Sequence, residues 1–122
     1  MIGNIEKNTL PNDLAYSTSL SYSACSYVAG GYCKVGNLVI VNLRVKYTGT
    51  TGAGKLMQIG GFPTYSNKTV NAKNIVPLTV YDFTSEKNVI DYAAINAAGD
   101  CVCQGTFTAN DEHSIHAAYL CD

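Results

Sequence analysis

The densest group of chemistry-bearing side chains in this 122-residue chain is Asp111, Glu112 and His113, with His116 close behind. Imidazole beside carboxylate is the raw material of a metal site or an acid–base pair. On an extended strand, however, positions 113 and 116 point to opposite faces. They do not share an ion without a bulge, and no third or fourth ligand stands at the usual spacing. Asp82 and Asp91 flank a turn signal at 85–88, so a hairpin there would set two like charges face to face. That reads as a cross-strand repulsion rather than a glycosidase pair. No Ser–His–Asp or Cys–His relation is legible, because such groups meet only in the fold. No residue is assigned a catalytic role, and the chain is expected to be neither an enzyme nor a carrier of a cofactor or metal.

Gly49-Thr50-Thr51-Gly52-Ala53-Gly54-Lys55-Leu56 comes close to the phosphate-cradling pattern G-x-x-x-x-G-K-[ST]. That loop works by opening a helix and placing a hydroxyl after the lysine. Here Leu56 replaces the hydroxyl and Pro63 follows soon after, so a mobile hairpin loop is the expectation. Five cysteines, at 25, 33, 101, 103 and 121, are an odd number that does not pair completely within one chain. Cys101 and Cys103 stand two apart on a strand, about 7 Å from each other along the backbone, too far for a relaxed bridge. They read as small buried hydrophobes made in a reducing compartment. The nine tyrosines should mostly be half-buried strand residues with a hydroxyl at the rim. Asn67-Lys68-Thr69 is a glycosylation acceptor pattern with meaning only in a eukaryotic secretory context.

What positions these groups is a set of strands, and 37–48 is the clearest. Val39, Val41, Leu43, Val45 and Tyr47 fall on one parity, and Asn42, Arg44 and Lys46 on the other. A period of two rich in β-branched residues marks a strand with one face on a core and the other on water. Leu38 and Ile40 are apolar on the water parity. Alternation also begins at 20–28, Gly30-Gly31 suggests a tight reversal, and Gly36-Asn37 a turn into the central strand. Further strands are expected at 55–59, 75–83, 89–97, 101–107 and 114–121, with Pro77 demanding an edge or bulge. Turn signals recur about every 10 residues, which fits an all-β antiparallel sandwich. Residues 1–19 read as a linker or extended segment and 20–122 as the sandwich domain.

Charged residues make up 14% of the chain, against roughly a quarter in ordinary soluble domains. Serine, threonine and asparagine fill the gap. Such a surface suits a protein that works outside a cell or hides much of itself in an oligomer. A net charge of −1 without basic clusters argues against nucleic acid. The first residues hold no apolar run of signal-peptide type, and no stretch is long enough to span a bilayer, so membrane insertion is not expected.

Several stretches together resemble the receptor-binding head domains of phage tail-fibre and baseplate proteins. Tyr32-x-Lys34-x-Gly36-Asn37-Leu38-Val39-x-Val41 resembles their "kxGnxVxv" opening. Ile59-Gly60-Gly61-Phe62-Pro63 stands where many have Leu-Pro. Ile95 to Gly99 followed by Cys101-Val102-Cys103 resembles their "xxxGxI" hairpin, and Ala117-Ala118-Tyr119 their final strand. The doubled glycine and the cysteines in aliphatic positions depart from the pattern. The resemblance implies a jelly-roll-like sandwich, assembly as a homotrimer, binding of bacterial cell-surface glycan, and a place on a virion or prophage-encoded particle outside the cell. On that reading Leu38 and Ile40 are expected at the subunit interface. Tyr65, Asn67, Asn71 and Asn74 are expected on an outward loop, where amides bond sugar hydroxyls and an aromatic face stacks. The alternative is a structural trimerisation or capping domain without ligand.

Overall fold

A computed structural model describes residues 17, 19–64 and 76–121 of the chain. Nine strands are assigned: β1 Ser21–Ser23, β2 Cys25–Val35, β3 Leu38–Tyr47, β4 Gly52–Gly60, β5 Val76–Pro77, β6 Thr79–Asp82, β7 Ile90–Ile95, β8 Cys101–Phe107 and β9 Glu112–Leu120. They form two antiparallel sheets, one ordered β1-β4-β8-β7-β5 and the other β2-β3-β9-β6. The fold is a β-sandwich, as the alternation predicts, and the described residues contain no helix.

β3 lies between β2 and β9 in the four-stranded sheet. Its inward parity packs as expected: Val39, Val41, Leu43, Val45 and Tyr47 are at most 2% exposed. Across the interface stand Met57 and Ile59 of β4, Ile95 of β7 and Cys101, Cys103 and Phe107 of β8, all without exposed surface. Tyr47 and Phe107 meet across the sheets with ring centroids 5.1 Å apart, an attractive tilted arrangement. Two tyrosine hydroxyls at the core's rim find backbone acceptors, Tyr47 on the Thr50 carbonyl and Tyr119 on the Pro63 carbonyl.

Several expectations from the sequence are corrected. Gly30-Gly31 does not reverse the chain; both glycines lie inside β2, just after a bulge at Tyr27/Ala29. Gly30 has φ 77°, and a Cβ there would meet the Asn42 carbonyl oxygen at 2.0 Å, so glycine serves close approach of two strands. The alternation at 20–28 is two strands: the chain leaves one sheet after β1 and enters the other at β2. Ala24 makes that corner with φ 59°. The stretch 75–83 likewise divides at Leu78 into β5 and β6, which lie at edges of different sheets. This places Pro77 on an edge, where its missing N–H costs no ladder bond. The turn at Gly36-Asn37 is where the sequence puts it, closing a hairpin whose last pair is Val35 with Leu38. Of the expected segment 1–19, Ser17 bridges Tyr32, and most of the remainder lies outside the described residues.

Leu43 is 1% exposed at the centre of this arrangement. Leu43→Asp should lower stability by about 3–5 kcal/mol, through an unpaired charge sealed between the sheets. Urea unfolding is the check, and an unchanged midpoint would contradict the inward assignment.

Candidate functional site

The two histidines separate as their parity predicts. His113 is fully buried and His116 is exposed, both on β9. His113 pairs in register with Asp82 of β6, its Nε2 3.7 Å from Asp82 Oδ2. Asp111 lies alongside and accepts a hydrogen bond from the Ser85 hydroxyl, while the Ser85 amide donates to Asp82 Oδ1 at 2.9 Å. Burial, and after it contact with the Asp111 side chain, pushes the Asp82 carboxyl above its ordinary pKa. The same contact, with the Ser85 hydroxyl, holds Asp111 below its own. Of the two carboxyls, Asp82 is the one that holds a proton more readily and Asp111 the one that gives it up. Desolvation pushes His113 down, so its ring is neutral, with its edge against Phe107 at 5.2 Å between centroids. Ser85 is engaged with Asp111 and the imidazole is sealed, so the group ties β6, β9 and the 83–86 turn together instead of forming a nucleophile–base pair. Asp91 is not opposite Asp82: it is exposed on β7 of the other sheet, and the expected repulsion does not exist.

The cysteines behave as small core residues. All five are free and buried. Cys101 and Cys103 turn inward together with sulfurs 3.6 Å apart, and burial pushes the Cys25 thiol up to about 11. Among the described residues, no three His, Cys, Asp or Glu side chains are grouped to hold a metal. The glycine run after β3 leads into strand β4, not a helix. Its connection is not a hairpin either, since β3 and β4 belong to different sheets. Two hydrogen bonds tie it down where a mobile loop was expected, one from Tyr47 to the Thr50 carbonyl and one from the Ala109 amide to Thr51.

The expected ligand residues Tyr65, Asn67, Asn71 and Asn74 lie outside the described residues. The expected interface residues, Leu38 and Ile40, are on the outer face of the four-stranded sheet. Register brings others to them. Val35, Leu38 and Leu120 form one row across β2, β3 and β9, and they are 43, 37 and 42% exposed, an apolar edge left to solvent. The next row is Cys33, Ile40 and Ala118. Val35 was findable from the Gly36-Asn37 hairpin; Leu120 was not, because nothing in the sequence says that β9 neighbours β3.

Further along the same face the rows become polar. Gly31, Asn42, His116 and Thr79 make one, and Ala29, Arg44, Ser114 and Tyr81 the next. The short side chains of β2 leave a depression of about 330 Å³, lined by Ala29, Gly30, Asn42, Leu43, Arg44, Ser114 and His116. The Arg44 guanidinium lies 4.0 Å above the Phe83 ring, and Glu112 Oε1 is 3.9 Å from its Nε. Reading 30–31 as a turn hid this place from the sequence. Comparison with family models, curated proteins and solved structures finds no match for the chain.

Two measurements bear on the buried groups. His113 is neutral in the fold and protonates in the unfolded chain near its ordinary 6.5, so its contribution is whole above that pH and is lost as pH falls below it. Asp82 works with the opposite sign, because a carboxyl raised by burial binds its proton more readily in the fold than in the unfolded chain, so the His113 part is read as a difference. Between pH 7 and 5.5 the wild type should lose stability relative to His113→Gln, by at most about 1.4 kcal/mol per unit, the slope for one proton. Thiol titration in guanidinium without reductant should count five cysteines, and far fewer in the native protein; a denatured count of three or below would reveal a bridge.

Proposed function

We propose that this chain is an adhesion module, a head domain of the tail-fibre or baseplate kind that packs as a homotrimer and holds a bacterial surface saccharide. It acts at the surface of a phage or prophage-encoded particle, and it recognises its target without turning it over. The observation that carries the reading is the apolar end of the outer sheet face, where Val35, Leu38 and Leu120 stand in one row beside Ile40 and Ala118. A chain this poor in charge has little to keep such a face apart from its own copies. Closed symmetry buries a self-complementary patch without building fibres, and the sequence resemblance favours three subunits.

Light scattering after size exclusion should find a particle three times the 13.0 kDa of the chain. Leu38→Asp and Leu120→Asp, at positions already exposed in the single chain, should give monomers that keep their fold. A wild-type particle of one chain mass at micromolar concentration would defeat the proposal. Glycan arrays decide the second half: a trimer that binds no bacterial saccharide is a structural cap and not an adhesin.

A further inference from the structure

We propose that the depression between β2 and β9 is a subsite for a sugar residue bearing a carboxylate. The inference rests on the saccharide-binding reading and names the chemistry that the described residues favour.

The floor comes first. On the β2 side the depression is lined by Ala29 and Gly30, so nothing larger than a methyl belongs to its lining there. The bulge at Tyr27/Ala29 and the close approach of Gly30 to the Asn42 carbonyl hold the backbone low there. A ring therefore meets only small groups at Ala29 and Gly30. On the other side the wall is polar, with His116 and Ser114 on β9 and Thr79 and Tyr81 beyond them on β6. Tyr81 is 40% exposed and offers an aromatic edge at the rim.

The charge comes next. Arg44 supplies a planar fork of N–H donors of the kind that engages a carboxylate with two parallel bonds. Its position is fixed from below by the Phe83 ring at 4.0 Å. Glu112 stands 3.9 Å from Nε, beyond hydrogen-bond length, so it tempers the charge without consuming a donor. One tempered guanidinium suits a monoanion. A phosphate dianion would meet Glu112 with nothing extra to offset it except Lys46, in register with Glu112 one row further along. Diagonal neighbours across two strands lie about 7–8 Å apart, which lets Arg44 hold the carboxylate while His116 reaches a ring hydroxyl. From Leu38 to Arg44 is six residues of strand, roughly 20 Å, so copies packed at the apolar end leave the depression open.

The test is a titration of ¹⁵N-labelled protein, followed by amide NMR at fixed pH, with D-glucuronate, D-glucose and inorganic phosphate in turn. Glucuronate should shift the amides of 29–31, 42–44 and 114–116 in a saturable way, with glucose at least tenfold weaker. Arg44→Gln should weaken the glucuronate response at least tenfold, and His116→Ala by a smaller factor. Leu38→Asp should leave it intact. The same spectra report whether each variant is folded. No shift with glucuronate, a response that survives Arg44→Gln, or phosphate matching glucuronate would overturn the assignment. Array binding unchanged by Arg44→Gln would overturn the subsite and leave the adhesion reading standing, whereas no array binding at all would remove both.

Discussion

The fold depends on one constraint, that the inner parity of β3 has no route to water. Val39 to Tyr47 meet β4, β7 and β8 of the facing sheet across a core whose central side chains are almost wholly enclosed. With side chains alternating strictly, a slip of one residue would put Asn42, Arg44 and Lys46 into that core. The cost of burying unpaired charge is larger than anything the turns contribute, so the register of β2 and β9 against β3 follows from it. The polar tie of Asp82, Asp111 and His113 is the exception that the core tolerates. It sits on the inner face near Phe107, where burial raises the Asp82 carboxyl and lowers the His113 imidazole, each shift favouring the uncharged form.

The same register organises the outside. Along β3 the outward residues run Leu38, Ile40, Asn42, Arg44, Lys46, from apolar through amide to cationic. β9 runs alongside with Leu120, Ala118, His116, Ser114 and Glu112. The two gradients match row by row: apolar pairs with apolar, and Lys46 with Glu112. One sheet face is thereby divided into an end suited to packing and an end suited to water. β2 contributes the asymmetry, because its glycines and alanine stand where the gradient turns polar.

How much of this was legible follows from range. β3 announces itself because its signal is contained in ten consecutive residues. The Gly36-Asn37 hairpin is equally local. The misreadings all lie where a local pattern was interrupted by a distant partner. Gly30-Gly31 has the composition of a turn, yet it lies within β2 beside a bulge, forced close to Asn42. Ala24 and Leu78 look like interior positions of single strands, and they are the corners at which the chain changes sheets. An alanine at φ 59° carries roughly 1–2 kcal/mol of backbone strain, which no sequence pattern advertises. The pairing of Asp82 with His113 joins residues more than thirty apart, so sequence parity predicted that His113 would part from His116 but not what it would meet.

The division of the outer face also bears on the proposed contact between copies of the chain. A contact centred on Val35, Leu38 and Leu120 lies beside the Gly36-Asn37 hairpin, at one end of the sandwich. The buried tie and the Arg44–Phe83 stack belong to the other end, near the 83–86 turn. Packing at the first end leaves the second rigid and uncovered, since its order comes from hydrogen bonds and ring contacts within the chain. A surface whose geometry is fixed before any partner arrives loses little conformational entropy on binding. In the proposed assembly, that separation, written into the outward parity of one strand, assigns one part of the sheet to the subunit contact and the other to the ligand.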